Sequence, residues 1–230
     1  TNKSAVRVPK NILRVIHRGV DLGRFSLTNI SENRVEALAR KWRLPDGVPV
    51  IMLPGRLTRW KGQEVFIHAI KKTGLNNLKC LIVGSEQGRH RYKASLEKLI
   101  EQTDLSDVIH LIDHCDDMPA AYMLADIVVS ASIEPEAFGR VVVEAQALGR
   151  LVVATNHGAT QETIENGSTG WLIKPNDENA MAEMLKTLLS CTREEREKIS
   201  TLAIQNVNNN FSKEEMCEKT IKLYKSMVSN

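Results

Sequence analysis

Three stretches of this chain gather residues whose types and spacing suit binding chemistry. The first, Pro54–Gly62, sets Arg56, Arg59 and Lys61 between Gly55 and Gly62. Arginine offers a rigid fork to anionic oxygens, lysine offers a mobile point charge, and glycine lets the backbone approach a ligand closely. A diphosphate needs this combination, although an exposed basic loop has the same make-up. The second stretch, Ser132–Ala145, carries Glu136 and Glu144 around Gly139. The neighbours of Glu144 are apolar (Val141, Val142, Val143, Ala145, Leu148), so its carboxylate is expected near the core, where it must find hydrogen-bond donors. Ribose hydroxyls are suitable donors. Glu136 would then reach a group farther along the same ligand, and the backbone amides at 138–140 would face an anion or a sugar oxygen. Two glutamates at this spacing also arise by accident, as one structural helix-start residue and one half-exposed residue. The third stretch, Val83–Gly88, offers Gly84 as a place for close backbone approach. It is equally a tight turn, and it is not G-x-G-x-x-G, so no dinucleotide cofactor is inferred.

Other chemistries find less support. No Asp-x-Asp pair occurs, so metal-independent binding is expected, with Arg56 and Lys61 as the cations. The six histidines form no zinc-type cluster, and His17, His90 and His157 are more simply structural than catalytic. Cys80, Cys115, Cys191 and Cys217 form no CxxC pair, which fits structural thiols in a reduced, cytoplasmic compartment. No apolar run approaches the roughly 20 residues needed to cross a bilayer, and no secretory signal opens the sequence.

These loops need elements to hold them. Short aliphatic runs at 50–53, 79–83, 108–112, 126–130, 151–155 and 171–173 read as strands. Segments with helical spacing lie between and after them, at 62–72, 92–102, 118–124, 139–148 and 178–189. This alternation predicts an α/β fold, a Rossmann-like parallel sheet with helices on both faces. Ligands of such sheets bind beyond the carboxyl ends of the strands, where all three stretches fall.

The chain divides into 1–48, a linker with a first strand and helix; 49–191, the Rossmann-like core; and 192–230, two C-terminal helices. The aliphatic run 12–16 and a helix from Ser31 to Trp42, with Ser31 as N-cap, occupy the first part. Ser212 and Glu215 predict a capping box for the last helix, whose face carries Met216, Ile221, Leu223, Tyr224 and Met227. A chain that is 42% hydrophobic and 26% charged supports a sizeable core, and only 4% of it is aromatic, so no base-stacking platform for nucleic acid is advertised. Residues 1–72 hold fifteen Lys and Arg against five Asp and Glu, and the remainder sixteen against twenty-three. The basic front suits an anionic ligand or surface, or is a solvated positive face; no nucleic-acid motif accompanies it.

The string from Glu136 through Glu144 to Ala154 resembles the E-x7-E segment of retaining, GT-B-fold glycosyltransferases of the fourth sequence family. Gly55-Arg56-Leu57 with Lys61-Gly62 is similar to that family's diphosphate loop. His17-Arg18-Gly19-Val20-Asp21 resembles its Asn-Gly-Val-Asp turn with Arg18 in place of Asn, and Gly167–Leu172 its strand entry. The resemblance implies the C-terminal, donor-binding domain of an enzyme that moves a hexose from a nucleotide-diphosphate sugar with retention. It assigns the diphosphate to Arg56 and Lys61, hexose hydroxyls to Glu136, the ribose to Glu144, and the sugar–phosphate end to the amides of Phe138, Gly139 and Arg140. On this basis Glu136, Arg56 and Lys61 are the candidate catalytic residues and Gly84 a further possible contact. No metal and no cofactor besides the donor substrate are implied. The acceptor, sugar or lipid-linked and in cell-surface polysaccharide or lipopolysaccharide synthesis, would bind an N-terminal domain lacking here, to which the last helix crosses; the 230-residue chain is then a piece inactive alone. Peripheral contact of the whole protein with the inner membrane face is a further expectation. A nucleotide-sugar epimerase of similar fold and a non-catalytic nucleotide-binding module are the competing readings.

Overall fold

The computed structural model describes residues 13–228. Six strands form one parallel sheet: β1 (Val50–Pro54), β2 (Lys79–Val83), β3 (Ile109–Ile112), β4 (Ile127–Ser130), β5 (Leu151–Thr155) and β6 (Trp171–Ile173), in the order β3-β2-β1-β4-β5-β6. Their near-continuous aliphatic sequences follow from burial on both faces. Along β1, Ile51 and Leu53 join the core on one side, under α2 (Gln63–Thr73), α3 (His90–Gln102) and α7 (Glu178–Leu189). Val50 and Met52 join the other, under α4 (Met118–Leu124) and α5 (Arg140–Ala147), with Val207 of α8 (Arg193–Asn210). The short α6 (Thr160–Thr163) follows β5.

The order reverses between β1 and β4, and a crevice opens there because the chains leaving the two strands turn to opposite faces. The loops after β1 and β4 are tied together across it by the Ile133 amide, which donates to the Trp60 carbonyl at 2.7 Å. Gly62 makes this approach possible: its φ is +72°, and an added Cβ would lie 2.0 Å from the Ala131 carbonyl oxygen.

The ends depart from the sequence reading. No strand forms in residues 13–48; Ile12 lies outside the described residues, and Leu13 and Val15 are exposed, so that aliphatic run does not join the sheet. Among the described residues of 13–48, the ladder contact is the isolated bridge from Val20 to Ser212, secured by the Val20 amide donating to Phe211 O (2.7 Å) and the Lys213 amide donating to Val20 O (2.9 Å). Gly19 is required at this stitch, since a Cβ would meet the Ser212 carbonyl at 2.2 Å. The helix α1 (Glu32–Lys41) forms, but the Ser31 side chain makes no cap hydrogen bond. Helix α8 starts instead with a full Thr192–Glu195 capping box that the sequence reading missed, whereas Ser212 accepts from the Glu215 amide at 3.1 Å at the start of α9 (Lys213–Val228). Helix α9 buries no residue, and Ile221, Tyr224 and Met227 are exposed. No helix among the described residues is long and apolar enough to cross a membrane, and all four cysteines are free.

Part of the lopsided charge of the sequence is cancelled in space. Arg34 pairs with Asp117, Lys71 with Asp104, Lys72 with Glu178 and Lys61 with Glu136, each a front-half cation against a later acid.

Candidate functional site

Two adjoining cavities fill the crevice, of about 510 and 350 Å³, sharing Gly55, Arg56, Arg140 and Val141 in their walls. The larger is bordered by Lys61, Glu136, Phe138 and Gly139, with His17, Arg18 and Glu162 at its rim. The smaller runs along Gly84, Ser85, His114, Cys115, Met118, Tyr122 and Glu144. Every candidate site residue from the sequence therefore lies on one continuous surface at the carboxyl ends of β1, β2 and β4.

Each side chain is placed by local structure. Arg56 leaves β1 exposed, and its guanidinium has no hydrogen bond or ion pair among the described residues, while its backbone carbonyl is fixed by Gln63 Nε2 at 2.9 Å. Tyr92 holds that glutamine through its hydroxyl, at 3.2 Å. Lys61 folds its aliphatic stem over Gly55, with Cδ 3.4 Å from where a Cβ would sit, and its ammonium lies 4.5 Å from the Trp60 ring centroid. Its Nζ donates to Glu136 Oε1 at 2.7 Å, both side chains being nearly buried (13% and 12% exposed). Ser132 Oγ donates to the same carboxylate oxygen. The 136 turn is closed by the Ala159 amide donating to Glu136 O at 3.1 Å, and Gly158 leaves room for that contact.

Gly139, with φ +72° and ψ +53°, begins α5 in a left-handed conformation open to glycine at little cost. The amides of Phe138, Gly139 and Arg140 donate no hydrogen bond within the described residues and sit at a helix N-terminus, where the dipole favours negative charge. The Phe138 ring itself turns inward, against Phe211 at 6.3 Å between centroids, so only its backbone serves the cavity.

Glu144 is buried, but the protein meets its hydrogen-bonding needs without a ligand. The Tyr122 hydroxyl donates to Oε2 at 3.0 Å, and Arg140 Nη2 and Nε donate to Oε1 at 2.8 and 3.2 Å. The Arg140 side chain is 70% exposed and hence displaceable, whereas Tyr122 is wholly buried. Burial, reinforced by the Glu144 charge, pushes the Tyr122 phenol well above its ordinary value and keeps it a donor.

Sequence reasoning missed Tyr122, Ser132 and Trp60. Tyr122 fell within the helical segment 118–124, and nothing in its spacing announced a carboxylate partner. Gly84 lines the smaller cavity, but its lack of a side chain answers a backbone constraint: a Cβ would sit 2.0 Å from the Gly55 carbonyl oxygen. Of the histidines, His157 bonds the Ser132 carbonyl at 2.7 Å, His17 pairs with Glu162 and His90 with Glu86, so each has a partner of its own.

Comparison with known proteins places the family and the fold. The chain is 31% identical over 223 residues to the D-inositol 3-phosphate glycosyltransferase of Corynebacterium urealyticum, an alignment covering 94% of this chain and 51% of that one. A glycosyltransferase from Rickettsia africae superposes with a TM-score of 0.95 at 35% identity, covering 97% of this chain and 59% of that one. HepE of Anabaena, solved in complex with UDP and glucose, superposes with a TM-score of 0.85 at 25% identity, over 93% of this chain and 57% of that one. The chain thus spans about half the length of the curated relatives it matches. The family model described as glycosyl transferases group 1 matches residues 34–206, and the chain belongs to that family.

Proposed function

We propose that this chain is the donor-binding half of a retaining glycosyltransferase that takes a hexose from a nucleotide-diphosphate sugar. The observation that carries the reading is that Arg56, with its guanidinium unpaired among the described residues, and the unbonded amides at 138–140 belong to residues lining one cavity. Fixed donors aimed where charge develops stabilise a departing diphosphate. Arg56 takes the diphosphate as a fork. Lys61 leans toward it from its pair with Glu136, and Glu136, relieved of part of that pairing, accepts from hexose hydroxyls. In the smaller cavity the ribose displaces Arg140 from Glu144, while Tyr122 keeps the carboxylate oriented. Arg140, once released, adds a cation to the phosphates. In this reading the diphosphate charge is met by protein cations without a metal ion. The HepE complexes support a uridine nucleotide as the first donor to test.

The acceptor, which we place in cell-surface polysaccharide or lipopolysaccharide synthesis, binds mainly outside this chain, and helix α9 reaches toward the part that holds it. The whole protein works in the cytoplasm against the inner membrane face; its sedimentation with anionic vesicles at low salt, lost at high salt, checks that placement.

Calorimetric titration in EDTA against UDP, GDP and ADP tests the core of the proposal. Saturable binding of one nucleotide is expected, weakened at least tenfold by Arg56→Ala. Binding that needs a divalent cation, or that ignores Arg56→Ala, counts against it.

A further inference from the structure

A third cavity, of about 830 Å³, opens on the same edge of the sheet but outside the donor crevice, between the loop after β1 and the start of α3. We propose that it binds a phosphomonoester group carried by the acceptor. The inference rests on the transferase reading for the word acceptor, and on the cavity itself for the phosphate.

The lining is one-signed. Arg59, Arg89 and Arg91 border it and no carboxylate does. The nearby Glu86 is held by His90 Nδ1 at 2.7 Å. Arg91 is exposed and forms no ion pair or hydrogen bond among the described residues. Arg89 spends one N–H on the Glu86 carbonyl, at 3.2 Å, and keeps the rest of its fork. Arg59 has no counter-ion and is steadied by the Tyr92 ring, 5.9 Å from its guanidinium carbon. Three cations gathered without a neutralising acid repel one another, and a dianion relieves that cost.

One further feature adds to the cluster of cations. The cavity floor meets the N-terminus of the thirteen-residue α3, where the His90 and Arg91 amides have no partner among the described residues. Thr58 also lines the cavity, with its hydroxyl enclosed in the wall. The volume lies within the range of small-molecule sites.

Trp60 joins the two regions, lining both this cavity and the larger donor cavity. An acceptor anchored here by its phosphate would present its hydroxyls past Trp60 toward the hexose, which explains why so cationic a cavity adjoins the diphosphate loop.

Glycerol 3-phosphate titrated into the UDP-saturated chain, followed by backbone amide chemical shifts, tests the assignment. Saturable shifts at 88–92 are expected, with affinity about tenfold weaker in Arg89→Ala and in Arg91→Ala and unchanged UDP affinity in both. Shifts confined to 55–62 and 138–140, or equal affinity in the arginine variants, would overturn the proposal. If UDP fails to bind while glycerol 3-phosphate still maps to 88–92, the transferase reading falls and the phosphate site stands.

Discussion

The two edges of the sheet use their charges in opposite ways. At the edge where strands begin, cations are consumed by the fold. Arg150 donates to the Leu148 and Ala125 carbonyls, Arg196 to those of Leu188, Leu189 and Cys191, and both surround Asp126, which also accepts from the Val50 amide at 2.8 Å. These contacts close helix ends that would otherwise leave carbonyls without donors. At the edge where strands end, Arg56 and Arg91 have no partner among the described residues, and amides at two helix starts are unused. Groups already bonded stabilise the protein. Groups left unbonded in a crevice are available to a ligand, and their cost is offset elsewhere.

Variants at each edge sharpen this contrast. The largest stability effect is expected from Asp126→Ala, which leaves two arginines without their acid and the Val50 amide without its acceptor. It should cost about 2–3 kcal/mol in denaturant unfolding while leaving UDP affinity unchanged. Arg56→Ala should do the reverse, losing roughly 1.5–3 kcal/mol of UDP binding with unfolding free energy held within about 0.5 kcal/mol. Tyr122→Phe lies between the two classes. It removes one of the donors to a buried carboxylate and should cost about 1 kcal/mol of stability with a smaller change in UDP affinity.

The smallest expected effect is a pH dependence. Burial, with the Lys79 charge, lowers the His110 pKa in the folded protein. As pH falls below the ordinary histidine value near ~6.5, the unfolded chain takes up that proton first, so stability declines until pH passes the folded value. His110→Gln should flatten this part of the stability–pH curve; an unchanged slope would assign it to another group.

The sheet was legible because its strands are buried on both faces: runs such as Leu151–Thr155 and Lys79–Val83 could be placed to the residue. The site loops were legible because Gly, Arg and Glu mark strand ends. Partnerships were not. Nothing in sequence spacing joins Lys61 to Glu136 or Tyr122 to Glu144, since these contacts span the β1–β4 reversal and the α4–α5 packing. The aliphatic stretch near residue 12 misled because apolarity alone signals burial without naming what it packs on; Leu13 and Val15, like the outer face of α9, stand exposed. The cationic cavity was invisible because Arg59 follows β1 while Arg91 opens α3, after β2.

The most direct test of the donor site is a crystal structure of this chain grown with UDP-glucose in the absence of divalent cations. The account predicts the diphosphate between Arg56 and the amides of 138–140, with the ribose hydroxyls on Glu144 and Arg140 turned away from it. A nucleotide seated elsewhere, or a diphosphate out of reach of Arg56, would contradict it.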